Sequence, residues 1–259
     1  MKRLIVTADD FGADGAVNEA VEYAHRNGIL TAASLMVGAP GMDDAVRRAK
    51  RMPALGVGLH LVLVEGRPVL PAERIPGLVD GDGLFRTDMV RAGIDMFFRP
   101  AVRRQLAAEI EAQFSAFAAT GLRLDHVNAH KHFHLHPTIA WLIGSTGARY
   151  GMTTVRAPVE PVAVLRAAAP GSPAPSDWLT APWAKLVRRR FRRAGMQVPQ
   201  SVFGLAWSGG MTTERVEGLI ANLPEGLSEM YLHPATQDDY PVHGPGYRLR
   251  DELAALIDP

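Results

Sequence analysis

Two carboxylates stand side by side in Thr7-Ala8-Asp9-Asp10-Phe11-Gly12, directly after the short β-branched run Leu4-Ile5-Val6. At the carboxyl end of a first strand, where parallel α/β folds place their active sites, neighbouring side chains point in different directions. One carboxylate is then free to bind a metal while the other faces a substrate as a base. Asp14, nearer the start of the next helix, is expected to cap that helix instead. A second cluster is the run Asp125-His126-Val127-Asn128-Ala129-His130-Lys131-His132-Phe133-His134-Leu135-His136-Pro137, which holds four of the nine histidines at 130, 132, 134 and 136. In extended chain that spacing puts all four on one face, with neighbouring Cα atoms about 6.5–7 Å apart. Two imidazoles can converge on one ion from there. Four cannot, so one ligand with supporting neighbours is expected.

His60 interrupts the apolar strand Gly58-Leu59-His60-Leu61. A lone strand histidine is more often a satisfied core residue, and His60 gains weight through its company. Asp10, His60 and one histidine from 130–136 would form a carboxylate-and-two-imidazole set of the kind that activates water. His233, in Tyr231-Leu232-His233-Pro234, also stands at an expected strand end. An imidazole there is suited to protonate a leaving amine. Arg156, after Thr153-Thr154-Val155, would orient a carboxylate base.

These residues need a scaffold of alternating elements. Val17, Ala20, Val21 and Ala24 mark the buried face of a helix over 15–26. Strands are expected at 30–37, 55–62, 122–128, 153–155, 202–206 and 230–232, with helices at 41–51, 101–119, 137–149, 212–222 and 247–257. Strand–helix alternation implies an α/β fold with a parallel sheet, and about seven such units suit a closed or nearly closed barrel. Two excursions break the pattern. Residues 64–99 are rich in turn signals, and residues 158–200 hold seven of the 19 prolines.

The 259 residues are 47% hydrophobic and 21% charged with a formal net charge of +1, which excludes a disordered, collagenous or strongly basic nucleic-acid-binding chain. With no cysteine, any metal site must use histidine and carboxylate. No signal peptide or membrane-spanning run is apparent, so a cytoplasmic protein is expected. A single domain over 1–259 with insertions at 64–99 and 158–200 fits the length. Between 161 and 213 the charge is +6, because Asp177 is the only acid. Within it Trp183, Leu186, Val187, Phe191 and Ala194 fall on one helical face and Lys185, Arg188, Arg189, Arg192 and Arg193 largely on the other. That pattern suits a helix lying on an anionic membrane, with Trp178, Trp183 and Phe191 as lipid contacts, or equally a solvated helix packing on the barrel.

Taken together, Thr7-Ala8-Asp9-Asp10-Phe11-Gly12, Gly58-Leu59-His60-Leu61, His130-Lys131-His132-Phe133-His134 and His233-Pro234, in this order, resemble the YdjC-like (ChbG-type) carbohydrate deacetylase family over nearly the whole chain. The resemblance is closer to its hopanoid-biosynthesis HpnK branch. It implies a distorted TIM-like (β/α) barrel of about seven to eight parallel strands and a metal-dependent hydrolase that removes acetyl from an N-acetylated amino sugar. It also implies metal ligands at Asp10, His60 and His130 and a general base at Asp9, with Asn128, His132 and His134 in substrate binding or support. Members acting on soluble sugars usually carry Asp-Ser where this chain has Asn128-Ala129. The expected substrate is therefore an N-acetylglucosaminyl hopanoid, met by a cytoplasmic enzyme peripheral to the inner membrane. A soluble chito-oligosaccharide is the alternative, ahead of a metal-dependent phosphoesterase or a non-catalytic lipid- or metal-binding module. One divalent ion is expected, with zinc, magnesium, cobalt, nickel, manganese and iron all compatible. A homo-oligomer is compatible with this reading.

Overall fold

The computed structural model describes residues 1–171, 181–239 and 246–258. Six parallel strands form one curled sheet in the order β4-β3-β2-β1-β6-β5: β1 (Lys2–Phe11), β2 (Ala32–Leu35), β3 (Gly56–Leu61), β4 (Val127–Ala129), β5 (Ser201–Phe203) and β6 (Gly226–Leu232). Helices surround it: α1 (Gly15–Asn27), α2 (Met42–Ala49), α3 (Met89–Phe98), α4 (Pro100–Ala119), α5 (Pro137–Arg149), α6 (Val162–Ala168), α7 (Ala181–Arg193), α8 (Thr213–Ala221) and α9 (Leu249–Ile257). The fold is a distorted TIM-like barrel, as expected, with six parallel strands among the described residues where about seven to eight were expected. Residues 153–155 make only isolated bridges, Val127 with Val155 and Thr154 with Gln197. The gap between edge strands β4 and β5 is nevertheless spanned by this extended segment, because Arg156 N donates to Val127 O and Val202 N donates to Val159 O, both at 3.0 Å. Arg156 is thereby threaded into the barrel interior.

Local chemistry explains why the elements fall where they do. Asp14 caps α1, its side chain accepting from Ala16 N at 2.8 Å, and Val17, Ala20, Val21 and Ala24 are buried against the sheet. Each fully buried valine contributes roughly 1.5–3 kcal/mol. Gly58 has a steric cause. A Cβ there would come within 2.5 Å of the His126 ring, so the glycine is the socket for that imidazole beneath the site.

The 64–99 excursion contains α3, which its turn signals did not reveal, and it is tied to the barrel from one helix. Buried Glu109 of α4 accepts from Val69 N at 2.9 Å and Leu70 N at 3.0 Å, while Gln113 both accepts from and donates to the Val62 backbone. The 158–200 excursion contains α6 and α7. Phe191, expected at a lipid surface, is instead buried at 2% exposure, because α7 turns it toward Gly144 of α5. Trp178 lies outside the described residues.

Candidate active site

Asp9 and Asp10 reach the same cavity because β1 is irregular at its end. The β1–β2 register shifts between Ala8 and Phe11, and Asp10 adopts a left-handed backbone with φ +63°. A bulge of this kind re-aims side chains, and a non-glycine residue held in that region costs about 1–3 kcal/mol. Both carboxylates, nearly fully buried, line a cavity of about 200 Å³ together with His60, His130, His132 and His233.

Asp10, His60 and His130 converge. Asp10 Oδ1 lies 3.2 Å from His60 Nε2 and 3.3 Å from His130 Nδ1, and one donor atom from each residue falls within 4.8 Å of the others. The orientation of His60 follows from its neighbour across the ladder, Asn128. Ionised Asp9 can only accept, so the Asn128 atom 3.0 Å from Asp9 Oδ1 is the Nδ2 amide, which also donates to Ser34 Oγ at 2.8 Å. The Asn128 carbonyl is left to accept from His60 Nδ1–H at 2.7 Å. This turns the bare Nε2 of His60, which is buried and has no hydrogen-bond partner, toward the Asp10 carboxylate. With a neutral His60 a lone pair and a carboxylate oxygen would face each other at 3.2 Å and repel, so either a proton or a cation belongs between them. The residues therefore fit a divalent ion, one carboxylate and two imidazoles being an ordinary donor set. The hydrogen-bond chain continues beneath the site: Ser34 Oγ meets His126 Nε2 at 3.0 Å, and His126 Nδ1 meets Asp125 Oδ1 at 3.0 Å.

Asp9 is clamped by a buried arginine. Arg156 Nη1 is 2.5 Å from Asp9 Oδ2, and Nη2 is 3.0 Å from Oδ1. Burial alone would raise the Asp9 pKa, but Arg156, His60 and His233 outweigh it and hold the carboxyl well below its usual range. Asp10 is likewise depressed, since His130 and His60 overcome its burial. Arg156 also donates from Nε and Nη2 to Glu229 Oε1, at 3.1 and 2.8 Å, and lies over the Tyr231 ring at 4.5 Å. Thr7 Oγ1 donates to the same Glu229 oxygen at 2.9 Å. Asp9 and Glu229 flank this one buried guanidinium and a third buried carboxylate, Asp10, faces His60 and His130, so the barrel interior is electrostatically prepared for a further positive charge.

His233 stands on the β6 side of the cavity. Its backbone N–H donates to Glu252, and its Nδ1 is 3.8 Å from Glu252 Oε2. Burial would lower the imidazole pKa, yet Glu252, Asp10 and Asp9 together raise it above the ordinary histidine value. The ring is thus disposed to carry a proton.

The histidine run corrects its expectation. β4 ends at Ala129, and 130–135 form a tight 3₁₀ segment in which Lys131 and His132 are left-handed, at φ +53° and +52°. The four imidazoles therefore do not share a strand face. His130 joins Asp10 and His60. His132 meets the Tyr231 hydroxyl at 2.7 Å, and burial keeps it neutral. His134 is fully buried, its pKa pushed down to about 3 by burial and by Arg156. His136 leaves the cavity and meets Gly93 O of α3 at 3.0 Å.

Glu229, Tyr231 and Glu252, which the motifs did not single out, complete the site. Glu229, Tyr231 and His233 alternate along β6 and its end, a period-2 signal of three polar side chains on one inward face. Glu252, on α9, carried no such signal. Beside this cavity runs a groove of about 570 Å³, lined by Met36, Ala39, Val62, Leu84 and Phe85 and by the charged Asp14, Glu65, Arg67 and Asp80 among others. The ion pair Lys131–Glu65, at 3.2 Å, stands between the two, Lys131 lining the cavity and Glu65 the groove.

Fold and site define a TIM-like barrel protein with a buried Asp–His–His cluster at the carboxyl end of its strands. The chain belongs to the YdjC-like protein family, whose model matches residues 3–259. A carbohydrate deacetylase of Geobacillus stearothermophilus is 32% identical, with 98% of this chain and 89% of that protein aligned. A carbohydrate deacetylase of Brevibacillus brevis is 43% identical over 57% of this chain and 56% of its own length. A crystal structure of an Enterococcus faecalis V583 protein superimposes with a TM-score of 0.74, covering 99% of this chain and 90% of that one at 24% identity, a likeness of fold.

Proposed function

We propose that this protein is a metal-dependent carbohydrate N-deacetylase whose substrate is an N-acetylated amino sugar carried on a lipid, of the N-acetylglucosaminyl hopanoid class. The observation that carries the reaction is the grouping in one cavity of Asp10, His60 and His130, the Arg156-clamped Asp9 and His233. Full-length relatives that are carbohydrate deacetylases support the same reading.

Asp10, His60 and His130 would hold the ion. When bound, it supplies a Lewis acid for the amide carbonyl and raises the acidity of the attacking water. Asp9, kept ionised by Arg156, takes a proton from that water. Its low pKa makes it a weak base, adequate only toward a water of raised acidity. Asn128 and Arg156 fix the Asp9 oxygens so that one orientation faces the cavity. As the C–N bond breaks, His233 gives its proton to the departing sugar amine and is reprotonated from solvent. Tyr231, held by His132, lines the cavity at the same level.

A cavity of about 200 Å³ suits one sugar ring, and the adjoining groove sets the apolar Met36, Ala39, Val62, Leu84 and Phe85 beside the charged Asp14, Glu65, Arg67 and Asp80. The apolar part of that lining is what supports an apolar aglycone. The phosphoesterase alternative would call for a two-metal site, and only one donor cluster occurs among the described residues. Acetate release by metal-loaded protein from an N-acetylglucosaminyl lipid in detergent, beside diacetylchitobiose, tests the reading. Turnover on the lipid alone is expected. Turnover on diacetylchitobiose alone would transfer the assignment to soluble chito-oligosaccharides, and release from neither would overturn deacetylation.

A further inference from the structure

A cluster of exposed apolar side chains lies outside the cavity, on α3. Val90, Ile94, Phe97 and Phe98 are 75, 53, 45 and 70% exposed, and at i, i+4, i+7 and i+8 they share one helical face. A soluble helix ordinarily turns such a face inward, and here the inward positions are taken by Ala92, Gly93 and Met96.

A second apolar surface meets it. The Phe97 ring lies 6.0 Å from that of His136, and Trp183 of α7 donates its indole N–H to Leu135 O, so α3 and α7 flank one step of chain. Trp183 and Leu186 are exposed, as is Trp141 of α5, one turn ahead of the Gly144 against which Phe191 seats. The rest of α7 supplies charge. Among the described residues, none of Lys185, Arg188, Arg189, Arg190, Arg192 and Arg193 pairs with a carboxylate; Arg188 and Arg192 reach only the carbonyls of Gln200 and Val198. Apolar side chains beside uncompensated cations are the composition of an interfacial surface, in which the rings enter the acyl boundary and the cations meet anionic headgroups. Its position also has a function, since Met89, the first residue of α3, lines the catalytic cavity.

We propose that the outward face of α3, with Trp183 and Leu186 of α7, docks this protein on an anionic lipid bilayer and sets the cavity mouth at the membrane surface. This rests on the lipid-substrate reading for its purpose, but not for its evidence or its test. The surface differs from the one expected from sequence, because α3 supplies the apolar contact and Phe191 does not take part.

The test is co-sedimentation of the full chain with phosphatidylglycerol-containing vesicles and with pure phosphatidylcholine vesicles, at low and high salt. Binding to the anionic vesicles that falls steeply with salt is expected, and Ile94→Asp with Phe98→Asp should weaken it roughly tenfold or more. Arg189→Glu with Arg193→Glu should weaken it too, and both double variants should keep deacetylation of a water-soluble N-acetylated sugar derivative at the wild-type level. No vesicle binding at low salt overturns the proposal, as does binding that the α3 variant leaves unchanged. So does a dimer in analytical ultracentrifugation that Phe98→Asp converts to monomer, which would make a second copy the occupant of this face. A protein that binds vesicles but releases no acetate from any substrate would refute the deacetylase reading and leave the docking surface standing.

Discussion

Asn128 Oδ1 lies 2.7 Å from His60 Nδ1, and the amide of the same side chain donates to Asp9 at 3.0 Å. One asparagine thus sets both the tautomer of a candidate metal ligand and the orientation of the candidate base. Asn128→Leu should lower metal affinity by about 10–100-fold, the usual cost of losing such a supporting partner. Calorimetric titration with zinc or cobalt measures this, and unchanged affinity would separate Asn128 from the ligand set.

Asp9 and His130 should fail in different ways. Asp9→Asn retains an acceptor for Arg156, so the variant should fold and bind metal while acetate release falls by about 10²–10⁴-fold. His130→Ala should lose the metal itself, seen as substoichiometric metal by elemental analysis after reconstitution. Rates like those of wild type for the first, or a full metal complement for the second, would reverse the roles given to these residues.

The raised pKa of His233 sets the direction of the pH dependence. An acid catalyst works only while protonated, so kcat should fall as pH rises through a value above the ordinary histidine 6.5, and His233→Gln should abolish that basic limb. The sign for stability is the same. A group whose pKa is higher folded than unfolded stabilises the fold fully below the unfolded value, and the contribution disappears as pH rises through the folded one. Thermal melts of His233→Gln and wild type should therefore converge at high pH, separate as pH falls through the raised folded value, and differ most below about 6.5. A rate profile with an unchanged basic limb in the variant would remove His233 as the acid.

Gly58→Ala places a Cβ 2.5 Å from the His126 ring. The ring sits between Asp125 and Ser34 and has little room to retreat, so a loss of about 1–3 kcal/mol is expected from chemical denaturation. An unaltered midpoint would mean that the socket is looser than the contact distance implies.

Much of this was legible in one chain of letters because the relevant signals are local. Apolar spacing marks α1, and adjacent carboxylates after a β-branched run mark the end of β1, where a parallel fold puts its chemistry. Asp9, Asp10, His60, His130 and His233 could be singled out because each interrupts or ends an apolar strand. The conformation of the histidine run was not legible. Period-2 spacing describes a strand, but β4 stops at Ala129, and left-handed turns at Lys131 and His132 send His130, His132 and His136 to three separate partners and bury His134. Nor could spacing show that Arg156 would grip Asp9 and Glu229 together. Those residues are 147 and 73 positions from it in sequence and meet only because 153–159 bridges the edge strands. Local residue order set which side chains were available and which strand ends would carry them, since strand and helix periodicity depend on near neighbours. Closure of the barrel decided which carboxylate is clamped and which joins two imidazoles, and whether an aromatic on α7 is buried or exposed. Those outcomes depend on burial and on charge pairing across long stretches of chain, which no local pattern encodes.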